Sequence, residues 1–106
     1  MQISKLDDLR ATRAERGVDA HEFLRVPAMS LMLYELEAGA EDTQAPHAED
    51  EVYYVISGRA QFEAGGERRP VEPGDTIFVE ARAPHRFVEI AEDLSLLVVF
   101  APAYTG

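Results

Sequence analysis

The chain has no cysteine, which excludes disulfides, thiolate nucleophiles and zinc-finger sites. Histidine and carboxylates are left as the available metal ligands. No run of 18 apolar residues occurs, so no segment reads as a membrane span. Positive charge is scarce. Ten Lys and Arg stand against twenty Asp and Glu, a net charge of −10, whereas nucleic-acid phosphates demand a basic face. Neither nucleic acid nor membrane is therefore an expected partner. Internal repeats, linkers and low-complexity segments are also missing, and the 106 residues suit one domain with a real core. The stretch Met1 to Arg10 carries charges where a signal peptide has its apolar segment, so the expected location is cytoplasmic.

The 46% of apolar residues is ordinary for a globular protein, and their arrangement is informative. Residues 4–16 predict a short amphipathic helix, with Ser4 as cap, Ile3, Leu6 and Leu9 at helical spacing, and Gly17 as stop. Short strands follow at Glu22–Val26, Met29–Leu36, Glu51–Ser57, Ala60–Ala64, Glu67–Val71, Thr76–Glu80, His85–Ile90 and Leu94–Phe100. Gly65-Gly66 is a hairpin signal, and Pro73-Gly74 fits the centre of a type II turn. About eight short strands with one helix predict an all-β antiparallel barrel or jelly roll. Alternation puts Glu51, Tyr53 and Val55 on one face and Val52, Tyr54 and Ile56 on the other; Phe87 and Glu89 go with His85. Glu51–Ser57 and Leu94–Phe100 are apolar on both faces and read as central strands, with partner contact expected outside the last.

The stretch from Gly39 to Gly58 organises the rest. It opens as a polar loop, ends as an apolar strand, and carries His47 and Glu51 at the join. Seven acids lie between Glu35 and Glu51 without a Lys or Arg among them. That run reads first as a solvated loop, with a cation-attracting rim as the alternative. A second stretch answers it downstream, Pro73-Gly74-Asp75 and then Pro84-His85.

The pairing of His47-x3-Glu51-x6-Gly58 with Pro73-Gly74-Asp75 and Pro84-His85 resembles the two motifs of the cupins, with a short intermotif spacing as in small bacterial single-domain members. The resemblance covers residues 28–102, with residues 1–20 as a helical cap on a single domain of 1–106. It implies a double-stranded β-helix barrel, one divalent metal ion per chain (Fe, Zn, Mn or Ni) and a homodimer. This chain departs from the pattern. The first histidine of the first motif falls on Ala45, the Pro and Gly before the second-motif His fall on Glu80 and Arg82, and a usual Asn falls on Glu89.

The ligand set is thus reduced to His47, Glu51 and His85, a type used by non-haem iron oxygenases and open to zinc. Gln44 is a candidate fourth ligand or holder of a metal-bound water, against the plainer reading of a polar loop residue. Tyr53 and Phe87 are candidate walls of a small-molecule pocket, or simply core. Glu89, if inward, is a candidate catalytic base, an orienter or the partner of an Arg such as Arg59, with a surface position through a strand irregularity as the alternative. His21 lies outside both motifs and is expected to have a surface or structural role. The expected function is binding of, or action on, a small organic molecule at the metal, by oxygenase-like or isomerase/lyase-like chemistry. The alternative is a non-catalytic or structural dimeric barrel with a degenerate site.

Overall fold

The computed structural model describes residues 1–106. One helix, α1 (Leu6–Arg16), precedes six strands: β1 (Ala20–Val26), β2 (Met29–Leu36), β3 (Asp50–Ala64), β4 (Glu67–Val71), β5 (Thr76–Val79) and β6 (His85–Ala101). They form one antiparallel sheet in the order β1-β2-β6-β3-β4, with β5 also paired to β3. The architecture is the expected double-stranded β-helix with a short N-terminal helix, folded over on itself without closing the sheet. No helix is long and apolar enough to cross a membrane.

Two expected breaks are not strand ends. Glu51–Ser57 and Ala60–Ala64 are one strand, β3, and His85–Ile90 and Leu94–Phe100 are one strand, β6. The two run antiparallel from Asp50↔Ala101 to Ala64↔His85, with register shifts between Val55 and Gln61. The reason is steric and sits at Gly58. Its φ is +94°, and a Cβ there would lie 2.3 Å from the Asp93 carbonyl oxygen, so only glycine permits this close passage. The bulge also switches the inward face. Glu51, Tyr53 and Val55 are buried before it, and Ala60 and Phe62 after it. On β6 the same switch falls at Glu89 (φ +48°), between inward His85 and Phe87 and inward Ile90.

Each long strand thereby contributes to both halves of the fold, and the inner faces meet in one core. Tyr53 lies edge-on to Phe62 at 5.8 Å and to Phe87 at 5.0 Å, joining residues from either side of the bend. The outer face is only partly covered. Val52, Tyr54 and Phe78 are exposed there, so the first half of β3 is not packed on both sides within the chain. Helix α1 begins at Lys5 without a side-chain cap, instead of being capped by Ser4, and ends at Gly17 in the left-handed conformation. It buries no residue; Arg10 and Arg13 tie it to Glu35 of β2 at 3.2 and 2.8 Å.

Candidate metal centre

Two side chains four residues apart and a third from far along the chain meet at one rim of the fold. Glu51 lies at the start of β3, just after Asp50, His85 starts β6, and His47 lies in the loop before β3. The two loops are joined there by backbone, since the Arg82 N–H donates to the His47 carbonyl at 2.6 Å. Glu51 Oε1 lies 3.4 Å from His47 Nε2 and 3.0 Å from His85 Nε2, and the three ligand atoms are all within 4.8 Å of one another. All three side chains are nearly inaccessible to solvent, at 7% or less exposed.

The hydrogen atoms can be placed from chemistry. His85 Nδ1 is 2.8 Å from the Ala83 carbonyl, which only accepts, so Nδ1 carries hydrogen. In the neutral ring Nε2 then presents a lone pair to Glu51 and to the Tyr53 hydroxyl at 3.2 Å. Glu51 Oε1 is buried without a hydrogen-bond partner despite the short His85 contact, which is close but not aligned as a hydrogen bond. A buried acceptor left in that state costs about 1–3 kcal/mol.

Electrostatics treats the two histidines differently. Burial disfavours a charged His47, outweighs the pull of Glu51, and lowers its pKa. Burial opposes charge on His85 too, but Glu51 and the Ala83 carbonyl outweigh it and raise its pKa. Burial first, and the Glu51 charge second, hold the Tyr53 phenol protonated well beyond neutral pH.

The donor types of this set fit a divalent ion. Ligands about 2.1 Å from one ion stand about 3.0–3.4 Å apart in octahedral or tetrahedral arrangements, and both imidazole–carboxylate distances match. The set as a whole spans up to 4.8 Å, so the two imidazoles would draw together on an ion. The Nδ1–H···O=C bond of His85 is the support usual for a ligating imidazole. His47, Glu51 and His85 are the residues that would hold the ion.

Gln44 joins the cluster. Its Oε1 lies 3.5 Å from His47 Nε2 and accepts from the Tyr53 hydroxyl at 3.0 Å. Behind it is Asp42, part of the acidic run that reads as a solvated loop. Asp42 is 4% exposed, and Glu49 of the same run is 2% exposed. The local signal for Asp42 is its place two residues before Gln44; the donors that bury it come from Tyr34 and Phe87 and are not visible in its own stretch.

A cavity of about 300 Å³ opens beside the cluster. His47, Glu51, Tyr53 and Gln44 form its polar side, and Met32, Tyr34, Val98, Phe100 and Tyr104 its apolar walls. Tyr104 stacks on Phe100 at 4.6 Å, and its N–H donates to Ser30 Oγ at 2.9 Å. Thr105 donates to Glu49 at 2.6 Å, bringing the last residues over the cavity.

Of the other expected residues, Tyr53 lines this cavity and Phe87 does not. Phe87 is 1% exposed and packs beneath Tyr53 as core. Glu89, expected to accompany His85 inward as a catalytic group, is turned outward. Its side chain is 67% exposed and 3.6 Å from Arg68, because the positive φ at Glu89 breaks the strand alternation. His21 lies beside Arg16, 2.8 Å away at the surface.

The cupin domain family model matches residues 32–100. Protein SCO3923 of Streptomyces coelicolor is 47% identical over 102 residues, which is 96% of this chain and 97% of that protein. The fold is similar to TT1209 of Thermus thermophilus, with a TM-score of 0.74 at 30% identity over 97% of this chain and 99% of the other. It is similar in fold also to an ectoine synthase from P. lautus, with a TM-score of 0.80 at 22% identity over 99% of this chain and 80% of that one.

Proposed function

This chain belongs to the cupin family, and on that premise we propose that it binds one divalent metal ion through His47, Glu51 and His85. The ion would serve a small organic molecule held in the adjoining cavity. The observation that carries this reading is the buried Glu51 Oε1, which has no hydrogen-bond partner and stands 3.4 Å from His47 Nε2 and 3.0 Å from His85 Nε2. A buried carboxylate oxygen left without a hydrogen-bond partner, beside two nitrogens able to present lone pairs, is stabilised by a cation placed among them.

A bound divalent ion would supply a Lewis acid with open positions for an oxygen donor. The chain's own groups do the rest. Apolar walls exclude water and favour an organic body over a hydrated one. The Tyr53 hydroxyl, kept protonated, donates to Gln44 and presents its oxygen as an acceptor at the boundary between cluster and cavity. The reaction class, oxygenase-like or isomerase/lyase-like, is a matter for turnover assays because this barrel hosts many chemistries.

A homodimer belongs to the same proposal. Val52 and Phe78 are register neighbours, and with Tyr54 they leave an apolar strip on the outer face, 38%, 67% and 43% exposed.

Elemental analysis of protein purified without added metal or chelator tests the reading, alongside His85→Ala. About one transition metal per chain in the parent and none in the variant is expected. No metal in the parent, and none taken up on titration with zinc, iron, manganese or nickel, would leave a binding or structural barrel. Light scattering on the same sample should give twice the 11.8 kDa chain mass; a monomer at all concentrations would remove the dimer.

A further inference from the structure

We propose that Asp42 is a positioning residue for the metal centre, fixing the Gln44 side chain so that its amide oxygen stands as a fourth donor. This rests on the metal reading above and adds to it.

An amide has two ends of nearly equal shape and opposite hydrogen-bonding character, so something must choose which end faces the cluster. Asp42 makes that choice. Its Oδ1 accepts from the Tyr34 hydroxyl at 2.8 Å and faces the Gln44 backbone N–H at 3.5 Å. Its Oδ2 accepts from the Phe87 N–H at 2.9 Å and from Gln44 Nε2 at 2.6 Å. A backbone N–H has no other role than donor, so Oδ2 is an acceptor, and the Gln44 end beside it must be the NH2. The opposite end is then oxygen, and the Tyr53 O–H, donating to it at 3.0 Å, agrees. The Asp42 carboxylate sets the orientation, and the Tyr53 hydroxyl is placed to donate to the oxygen it leaves facing the cluster.

The orientation has a consequence for chemistry. The carbonyl oxygen sits 3.5 Å from His47 Nε2, beside the position the three ligands share. Ala45, next in sequence, has no donor atom, so Gln44 supplies the neutral oxygen on this side of the site. Two imidazoles, a carboxylate and an amide oxygen form a mixed nitrogen–oxygen set, which suits Mn, Fe, Co, Ni or Zn in the divalent state over the soft Cu(I) ion. Asp42 reaches the metal position only through Gln44. It contributes to binding by holding a ligand, as the outer partners of metal ligands do.

The test uses cobalt(II) as a spectroscopic probe and zinc affinity measured against a competing chelator. Gln44→Ala should weaken zinc about tenfold or more and change the visible cobalt spectrum. Asp42→Ala should weaken zinc to a similar degree, and adding it to Gln44→Ala should cost nothing further, since both act through one contact. Asp42→Asn should weaken zinc less than Asp42→Ala, because its amide oxygen can still take the Oδ2 partners while its NH2 has the Tyr34 hydroxyl oxygen as acceptor but faces the Gln44 backbone N–H. If Asp42→Ala does not fold, Gln44→Glu replaces it. A carboxylate cannot donate to Asp42, so it should bind zinc more weakly than the parent although it is the stronger ligand in isolation.

Unchanged affinity and cobalt spectrum in Gln44→Ala, with metal lost in His85→Ala, would overturn the fourth donor and leave the three-ligand reading standing. Full additivity of the two alanine variants, or tighter binding by Gln44→Glu, would overturn the positioning role of Asp42. A parent protein that binds neither zinc nor cobalt would overturn both readings at once.

Discussion

Two sets of charged side chains lie along β6, one near its bend and one at the rim where its two ends fold together, and they are built on opposite principles. Near the bend, Glu35 receives Arg13 on one carboxylate oxygen and Arg10 on the other, and Arg10 also reaches Ser95 across the strand pair. Both carboxylate oxygens there meet a donor. At the rim, Glu51 lies 3.4 and 3.0 Å from two imidazole nitrogens, yet one of its buried oxygens has no hydrogen-bond partner. The first arrangement completes itself within the chain and fastens α1 to the sheet. The second is incomplete without something of positive charge. Burial alone does not separate a structural cluster from a functional one; the balance of donors and acceptors does.

The largest effect should come from a position on which both clusters depend. Gly58 lets β3 pass against Asp93 and Leu94 of β6, and this bend sets which residues of both long strands face inward. Gly58→Ala places a methyl 2.3 Å from the Asp93 carbonyl oxygen at a φ of +94°. A loss of about 3–5 kcal/mol is expected in denaturant unfolding, with the helix tie and metal uptake lost together. A variant that folds normally and binds metal would show that the two clusters are assembled independently.

Next in size is a change that should separate the clusters by sign. Glu51→Gln keeps the shape, removes the ligand charge, and gives the two facing nitrogens an NH2 donor. Metal affinity should fall about 100-fold or more, the upper end of what even outer partners cost. The metal-free protein, compared at a pH high enough to leave both imidazoles neutral, should be unchanged or up to about 1 kcal/mol more stable. A metal-free Glu51→Gln protein destabilised by more than that would make the rim cluster structural like the other, and would end the comparison.

How far the sequence reveals this contrast depends on the range of the interaction. β2 and β4 have the bounds their alternation and flanking turns indicate, and Glu51, Tyr53 and Val55 share the inward face that period two assigns. The convergence of His47, Glu51 and His85 follows from two motifs at opposite ends of paired strands. What is illegible involves continuation and partners. Ser57-Gly58 has the composition of a turn, but β6 keeps pairing past it, so the same residues make a bulge. Glu89 obeys alternation on paper and escapes it through one left-handed residue. Asp42 and its neighbours look like a solvated acidic loop, because its burial depends on the Phe87 N–H, 45 residues away. Local composition carries no trace of a donor that distant.

The smallest expected effect tests the completed cluster by itself. Burial alone would raise the Glu35 pKa; hydrogen bonds from Ser95, Arg10 and Arg13 outweigh it and hold the carboxyl below its ordinary value. A depressed folded-state pKa means that Glu35 binds its proton more weakly in the folded chain than in the unfolded one. Its contribution is therefore complete above the unfolded value of about 4.3 and is lost as pH falls through the lower folded value. Glu35→Gln should cost about 1 kcal/mol at neutral pH, a modest figure because the arginines remain partly exposed, at 38% and 23%. Urea unfolding of parent and variant at a series of pH values should show a constant gap down to about pH 5 and convergence below it. A gap that persists undiminished at about pH 2 would mean that the carboxylate charge does not fasten the helix, and that packing around residue 35 does. Added zinc should leave the gap untouched, since the ion acts at the rim and not at the bend; a gap that changes with zinc would show that the two clusters communicate through β6.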